Sequence, residues 1–361
     1  MTKILSIGTA VPAYKHLQKD LFEFAAQVHC TDELEKRKLR FVYRQSGIDC
    51  KYSVLPDFTA ENNSENIFVK IGGVIPSIEE RMALYNEHAV PLSVAAIEDC
   101  IKDKIAKEDI THLLTVSCTG LSAPGLDLLV MEEMGLPKNI VRTSINFMGC
   151  YAAIHAMKIA DAFCRSSPSA NVVLVCTELC TLHFQEDRSE DNVMSTLLFG
   201  DGSAAMLLSS ATDGKGLHID NFYSEVLEAG KNEMAWQLSS RGFLMKLSGL
   251  IPNLIQQDFL ALTQNALKDS TLSVGDIDQW CIHPGGRKII DSIANSLSLT
   301  KEHFQDAYDV LREFGNMSSP TVLFVLKRIF DKMEQQETGQ NVFGAAFGPG
   351  LTMETFLLRY D

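Results

Sequence analysis

The sequence of 361 residues lacks the features that would assign it to several well-known classes of protein. No apolar stretch approaches the roughly 20 residues that a membrane-spanning helix needs. The nine cysteines form no CxxC motif, and no two histidines have the spacing of a zinc finger, so we expect no zinc site. The glycine-rich motifs that bind phosphates or dinucleotides are also missing, which argues against enzymes that depend on such cofactors.

Positive charge is scarce as well, because 32 Lys and Arg residues stand against 46 Asp and Glu residues, a net charge of −14. An acidic surface repels nucleic acids and anionic membranes, so we expect neither as a partner. The number of cysteines is odd and most of them lie in apolar runs, which is typical of free thiols in a reducing compartment. We therefore expect a cytoplasmic protein.

Hydrophobic residues make up 46% of the chain and charged residues 22%, a composition that supports a large core and argues against disorder. The length suits two domains or one duplicated domain. The first apolar run is interrupted by Gly8 and Pro12, so it predicts a strand and a turn rather than a signal peptide.

The second half of the sequence repeats segments of the first half in the same order. From Ile110 to Cys150 is 40 positions, and from Ile277 to Asn316 is 39 positions. This spacing predicts two α/β halves, residues 1–212 and 213–361, whose sheets pack around shared buried helices. The matching pairs are DITHLLTVSCTG with DIDQWCIHPGG, INFMGCYAAIHAMKIADAF with REFGNMSSPTVLFVLKRIF, and FGDGSAAMLL with FGPGLTMETFLL.

Cys150 stands where a helix with apolar residues on nearly all sides is predicted to begin. The free N–H groups at a helix N-terminus stabilise a thiolate, so we expect the pKa of Cys150 to lie below the usual value of about 8.5. The alternative is a buried, inert cysteine. Asn316 is the equivalent residue of the second half, and His283 follows a predicted strand. Taken singly, Asn316 would be a helix N-cap and His283 an ordinary loop histidine.

If the halves pack about a pseudo-twofold axis, these three side chains converge. Cys150 would then attack an activated acyl group, and His283 would stabilise the thiolate as an ion pair. His283 and Asn316 would together donate hydrogen bonds to developing negative charge, as an oxyanion hole does.

Four segments in order resemble the landmark segments of the chalcone-synthase-like type III polyketide synthases, which belong to the thiolase-fold condensing enzymes. The resemblance covers nearly the whole chain. It implies an α/β fold of five layers, αβαβα, built from two pseudo-repeated halves, and a homodimer. The segments are NFMGCYAAIHAM, CIHPGGRKIID, FGNMSSPTVLFVL and AAFGPGLTMETFLL.

The resemblance also implies a reaction. An acyl starter would pass from coenzyme A to Cys150, and malonyl-CoA would lose CO₂ while His283 and Asn316 hold the enolate. Attack of this carbanion, repetition and cyclisation would yield a pyrone, a resorcinol or a phloroglucinol ring. Coenzyme A thioesters would be the substrates, with no metal and no bound cofactor. The alternatives are a β-ketoacyl synthase III that uses acyl carrier protein, a thiol hydrolase, and an inactive acyl-binding scaffold.

Further site residues are implied by the resemblance alone. Phe199 would be the gate between the coenzyme A tunnel and the cavity. Ala123 would occupy the place of a residue that reaches into the partner subunit's cavity. Cys118 would be either a second reactive thiol or a passive part of the wall. The residues that would line the substrate cavity are Cys118, His183, Met245 and Ser318.

A run of cations near the N-terminus has two interpretations. It is either the solvated face of a helix or the site that holds the phosphates of coenzyme A. The resemblance favours the phosphate-binding interpretation and implies that Lys38, Arg40 and Arg44 hold the phosphates of coenzyme A. The segment SSRGFLMKLSGLIP is more similar to bacterial members, and from this we expect a long-chain acyl starter rather than the substrate of a plant chalcone synthase.

Overall fold

The computed structural model describes residues 2–58, 66–67, 75–210, 215–335 and 339–361. Its strands are β1 Lys3–Ala10, β2 Tyr14–Leu17, β3 Cys50–Ser53, β4 His112–Ser117, β5 Val141–Asn146, β6 Asn171–Leu179, β7 Asp201–Ser209, β8 Leu217–Val226, β9 Met234–Ser239, β10 Gly242–Leu247, β11 Gln279–Ile282, β12 Asn341–Gly348 and β13 Thr352–Tyr360. Its helices are α1 Gln18–His29, α2 Glu33–Gln45, α3 Ile78–Ile101, α4 Leu126–Met134, α5 Ala152–Ser166, α6 Glu190–Leu198, α7 Ile251–Leu267, α8 Arg287–Leu297, α9 Gln305–Phe314 and α10 Thr321–Met333.

The main sheet has the strand order β11-β12-β13-β8-β1-β7-β6-β4-β5 and contains the same pairing pattern twice. In the first half, β4 is parallel to β6, and β7 pairs antiparallel with both β6 and β1. In the second half, β11 is parallel to β12, and β13 pairs antiparallel with both β12 and β8. This repeated topology agrees with the segments matched in the sequence. The expected boundary between residues 212 and 213 lies outside the described residues.

Two buried helices lie between the two halves of the sheet. Helix α5 contacts β4 and β6 of the first half and β13 of the second, and α10 contacts β7 and β1 as well as β11. Helix α3 covers the outer side of the first half, while α7 packs with α8 on the outer side of the second. The strands of the interior, such as β6, are continuous apolar runs because both of their faces are covered. The order of layers is therefore αβαβα, as predicted.

The Phe-Gly-Pro-Gly motif near the end of the second half packs directly against the start of α5. A Cβ atom added to Gly149, whose φ is +87°, would lie 2.2 Å from Cδ of Pro349. Both the backbone angle and the close approach therefore require glycine here. In this way the Phe-Gly-Pro-Gly motif supports the loop that carries Cys150. Within the part of the chain that is described, no helix is both long and apolar enough to cross a membrane.

Candidate active site

One cavity of about 600 Å³ lies where the starts of α5, α8 and α10 meet α2, α6 and the β9–β10 hairpin. Side chains of both sequence halves line it. Most of the residues singled out in the sequence lie in its wall: Cys150, His283, Asn316, Phe199, Cys118, His183, Met245 and Ser318.

Cys150 lies just before Tyr151, the N-cap residue of α5, and is 9% exposed. Its thiol donates a hydrogen bond to Oγ of Ser318 at 3.6 Å. Ser318 has a φ of +61°, a left-handed conformation that residues other than glycine rarely adopt. The loop before α10 therefore holds the Ser318 hydroxyl against the sulfur of Cys150, which belongs to the other half of the chain.

Asn316 is anchored through both ends of its amide. Its Oδ1 accepts a hydrogen bond from the Ser318 N–H at 2.8 Å, and its Nδ2 donates to the Gly285 carbonyl at 3.3 Å. This fixes the NH₂ group on the side of the thiol, and its hydrogen bond to Cys150 favours the thiolate. The N-cap of α10 is Pro320, so Asn316 is not the cap that one interpretation of the sequence suggested.

His283 directly follows β11 and is 1% exposed. Its backbone N–H donates to the Ala345 carbonyl at 2.9 Å, which continues the pairing of β11 with β12. Among the described residues, neither ring nitrogen has a hydrogen-bond partner. A buried imidazole without a partner is costly, so these nitrogens are suited to a ligand in the cavity.

Burial dominates the protonation of both groups. It raises the pKa of Cys150 to about 11, despite the opposing hydrogen bonds of Ser318 and Asn316, and the buried Glu178 adds to the increase. Burial also lowers the pKa of His283 to about 3. The pKa of the thiol is therefore shifted in the opposite direction from the expected one, because desolvation outweighs the hydrogen bonds that favour the thiolate. The favoured pair is a thiol and a neutral imidazole, not the expected ion pair.

Alkylation of Cys150 by iodoacetamide is therefore expected to be slow near neutral pH and to accelerate about tenfold per pH unit up to about pH 9, since only the thiolate reacts. Mass spectrometry of the peptide that contains Cys150 would give the rate at each pH. Cys118 is the matched control, because burial raises its pKa still further and it should stay unmodified. A Cys150 rate that levels off below about pH 7 would show that an ion pair with His283 sets the pKa.

Cys118 packs behind the loop that carries Cys150. Its sulfur accepts a hydrogen bond from the Gly149 N–H at 2.9 Å, and its own N–H donates to Glu178 Oε2 at 2.9 Å. Glu178 also accepts from Oγ1 of Thr119 and Oγ of Ser319. Burial raises the pKa of this carboxyl to about 7. The sequence analysis missed Glu178, although an acidic residue inside the apolar run ANVVLVCTELC was a signal for it.

Aromatic rings form one wall of the cavity. The His183 ring stacks on Phe243 with centroids 4.2 Å apart. The Phe243 N–H donates to His183 Nδ1 at 3.1 Å, so Nε2 carries the proton and donates to the Thr119 carbonyl at 2.7 Å. Trp236 donates from Nε1 to the Cys118 carbonyl at 2.7 Å. The wall is thus rigid and its polar groups are satisfied. The sequence analysis included His183 but missed Trp236 and Phe243.

The predicted coenzyme A cations lie on different faces of α2. Phe41 and Gln45 line the cavity, and Lys38 shares their face because it is three residues before Phe41. The Arg40 guanidinium instead lies 5.0 Å from the centroid of the Phe22 ring of α1. Arg44 is exposed. The roles of these three cations in binding coenzyme A stay predictions.

Three cations that the sequence analysis did not consider line the cavity: Lys51, Arg287 and Lys288. Arg287 and Lys288 are the first residues of α8, directly after the His-Pro-Gly-Gly segment. Ala123, by contrast, is exposed and is not part of the cavity wall of its own chain in the described structure. Across the described ranges, no group of three or more His, Cys, Asp or Glu side chains is arranged to hold a metal ion.

Comparison with known protein families identifies the fold and its chemistry. The model described as "Chalcone and stilbene synthases, N-terminal domain" matches residues 1–212, and the corresponding C-terminal domain matches residues 219–360. The chain belongs to the chalcone and stilbene synthase family. Members of this family are type III polyketide synthases, acyltransferases that form carbon–carbon bonds by decarboxylative Claisen condensation. The family and activity predicted from the sequence are confirmed.

Individual relatives agree with this assignment. The chain is 30% identical to the alpha-pyrone synthesis polyketide synthase-like Pks18 of Mycobacterium tuberculosis, over 98% of this chain and 90% of the relative. It is 27% identical to type III polyketide synthase A of Arabidopsis thaliana, over 99% and 92%. The crystal structure of PKS-I from the brown alga Ectocarpus siliculosus superposes with a TM-score of 0.94 at 30% identity, covering 100% of this chain and 98% of that one. The thiolase-like fold class is confirmed, and a β-ketoacyl synthase III is not favoured.

Proposed function

We propose that this type III polyketide synthase transfers an acyl starter from coenzyme A to the sulfur of Cys150. The observation that carries the proposal is the convergence of Cys150, His283 and Asn316 on one buried cavity. The thiol must lose its proton as it attacks the thioester carbonyl. The ring nitrogens of His283 have no hydrogen-bond partner among the described residues, so its imidazole would accept this proton and return it to the departing thiolate of coenzyme A.

The same groups would then serve the extension step. The thioester carbonyl oxygen of malonyl-CoA would lie between the Asn316 NH₂ group and an N–H of His283. Loss of CO₂ leaves an enolate whose charge these donors stabilise, so no base is needed. The enolate carbon attacks the acyl group on Cys150, a carbon–carbon bond forms, and the cysteine sulfur leaves. Each round adds two carbons to the acyl chain.

Arg287 and Lys288 would bind the phosphates of coenzyme A. They are the cations of α8 that line the cavity, and they share it with Phe41 and Gln45 of α2. An acidic protein of net charge −14 needs such a local cluster to attract an anionic thioester. This places the thioester end of the substrate toward His283, four residues before Arg287 in the chain.

We propose an aliphatic acyl starter for this enzyme. The inner walls carry aromatic and aliphatic side chains, among them Trp236, Phe243, Met234 and Met245. The polar groups of His183 and Trp236 are already hydrogen-bonded and offer nothing to a polar substrate. Apolar surface of this kind binds a hydrocarbon chain through the hydrophobic effect.

The enzyme is proposed to act as a homodimer in the cytoplasm, without a metal or an organic cofactor. Ala123 and Leu121 are exposed in the single chain, and Leu121 is 44% exposed, which supports burial of this segment by a second copy. All nine cysteines are free thiols, which fits a reducing compartment. The proposed chemistry needs only donors to an oxyanion.

The proposal is tested by incubating the enzyme with malonyl-CoA and a panel of acyl-CoA starters, from acetyl to long-chain and aromatic acyl groups. We expect consumption of malonyl-CoA without acyl carrier protein, and products extended by several two-carbon units from aliphatic starters. Mass spectrometry of the products also gives the ring type. A strict requirement for acyl carrier protein, or hydrolysis of acyl-CoA without use of malonyl-CoA, would refute the proposal.

A further inference from the structure

Lys51 is a buried lysine beside the catalytic residues to which the proposed reaction assigns no task. It lies in β3, is 1% exposed, and its side chain reaches the cavity wall. Its Nζ donates to the Phe199 carbonyl at 2.7 Å and also to the Thr196 carbonyl. Removing an ammonium group from water is costly unless its hydrogen bonds are replaced, so these contacts need an explanation.

The two carbonyls belong to the C-terminal end of α6. The last carbonyls of a helix lack partners within the helix, and a cation is favoured there by the helix dipole. Phe199 directly follows the last residue of α6, and Thr196 lies in the final turn. The ammonium of Lys51 therefore caps this helix end and fixes the residues that lead to Phe199.

Asn316 pairs with the other edge of the segment from Thr196 to Gly200. The Asn316 N–H donates to the Leu198 carbonyl at 2.9 Å, and the Gly200 N–H donates to the Asn316 carbonyl at 3.0 Å. Phe199 and Asn316 thus form a small parallel bridge between the two halves. A shift of the segment from Thr196 to Gly200 would move the backbone of Asn316, and with it the NH₂ group that faces the thiol.

The groups around the ammonium support this role. The carboxylate of Asp201 accepts hydrogen bonds from Val54 N–H at 2.9 Å and from the N–H and hydroxyl of Thr181, and its charge attracts Lys51. Asp201 and Cys180 both raise the pKa of Lys51. The centroid of the Phe58 ring lies 5.6 Å from Nζ of Lys51. Burial nevertheless prevails and lowers the pKa of Lys51 to about 8.

We infer that Lys51 is a positioning residue for the condensation step, which acts by holding the segment from Thr196 to Gly200 and through it Asn316. The inference rests on the proposed function. It distinguishes the two half-reactions by the size of the effect. Malonyl-CoA decarboxylation depends directly on the Asn316 amide as a donor to the enolate, whereas acyl transfer depends mainly on the sulfur of Cys150 and on Asn316 only through its hydrogen bond to the thiol. None of the hydrogen bonds described for Lys51 goes to the Cys150 loop.

The test compares Lys51→Met with the wild-type enzyme in two assays. Decarboxylation is followed by CO₂ release from malonyl-CoA alone, and starter loading by the mass of the intact protein. We expect the decarboxylation rate to fall by about tenfold to a hundredfold, as misplacement of a catalytic group does, and the loading rate to fall much less, since Asn316 affects loading only through its hydrogen bond to the thiol. Equal losses in both rates, or no loss in either, would overturn the inference.

Lys3→Met is the matched control. Lys3 is also 1% exposed, but it lies in β1 and forms an ion pair with Asp361 at 3.2 Å, away from the cavity wall. Its loss should lower the thermal stability without changing the ratio of decarboxylation to loading. If the wild-type enzyme neither loads a starter nor decarboxylates malonyl-CoA, the proposed function fails. If it does both and Lys51→Met keeps the ratio, only the role of Lys51 fails.

A pH profile covers the case in which Lys51→Met does not fold. The neutral amine that forms above the pKa of Lys51 has lost its charge, so wild-type decarboxylation should decline above about pH 8. Lys51→Arg keeps a cation at every working pH, and its decarboxylation should lack this decline. A wild-type rate that stays level through about pH 9, or the same decline in Lys51→Arg, would contradict the inference.

Discussion

Replacement of Cys150 by alanine is expected to abolish starter loading while malonyl-CoA decarboxylation continues. The substitution removes the sulfur that forms the acyl thioester but leaves the amide of Asn316 and the ring of His283 in place. Loading should fall by at least about a thousandfold, the scale seen when an enzyme loses its nucleophile. The measurements are the mass of the intact protein after incubation with an acyl-CoA, and the release of CO₂ from malonyl-CoA.

Cys118→Ala is the matched control, since Cys118 is a second thiol of the cavity wall and its sulfur contacts the loop that carries Cys150. Its sulfur accepts a hydrogen bond, and burial raises its pKa well above the usual value, so it should not carry the acyl group. We expect Cys118→Ala to load a starter. An acyl adduct on Cys150→Ala would place the nucleophile elsewhere and would make Cys118 the first candidate.

Replacement of His283 by alanine is expected to impair both half-reactions. Decarboxylation loses one of two donors to the enolate oxygen, and removal of one oxyanion-hole donor costs about 10²- to 10³-fold in rate, or about 3 kcal/mol. Loading loses the group that accepts the thiol proton. The two rates are measured with the assays used for Cys150, and thermal unfolding checks that the variant is folded.

His183→Ala is a useful comparison because His183 is a second buried histidine of the same cavity whose pKa is also lowered to about 3. Its ring nitrogens are both hydrogen-bonded within the protein, so its loss should change the shape of the wall and the products more than the rate of decarboxylation. A His283→Ala enzyme with the wild-type rate of decarboxylation would exclude the proposed role of His283.

The convergence of Cys150, His283 and Asn316 on one cavity was predictable from the sequence because the chain is duplicated. Segments that repeat in the same order with nearly equal spacing favour the same topology, which predicted that Cys150 and Asn316 lie near the entrances of equivalent helices, and they do precede α5 and α10. His283 followed from the strand that precedes it. The same argument found the fold class, since layers and strand order depend on the pattern of apolar segments and not on individual side chains.

Other features of the site depend on the directions in which side chains point, and the pattern of apolar segments does not encode these directions. Lys38 and Arg40 are two residues apart, yet one shares the face of α2 that lines the cavity and the other packs on Phe22. Glu178 and Lys51 lie in the buried strands β6 and β3. A charge inside an apolar run marks Glu178 as unusual, but nothing local indicates toward which groups these two side chains point. Their partners are more than 50 residues away in the chain.

The sequence by itself predicted the duplicated architecture from the order and spacing of segments. The repeat, together with the resemblance of four motifs, predicted the family and the three proposed catalytic side chains. Only the tertiary structure decided the direction of the pKa shifts of Cys150 and His283, since desolvation depends on everything packed around a group and here exceeds the hydrogen bonds that favour the thiolate. It also decided which cations reach the cavity and which residues support Asn316, because those contacts join segments that are distant in the chain.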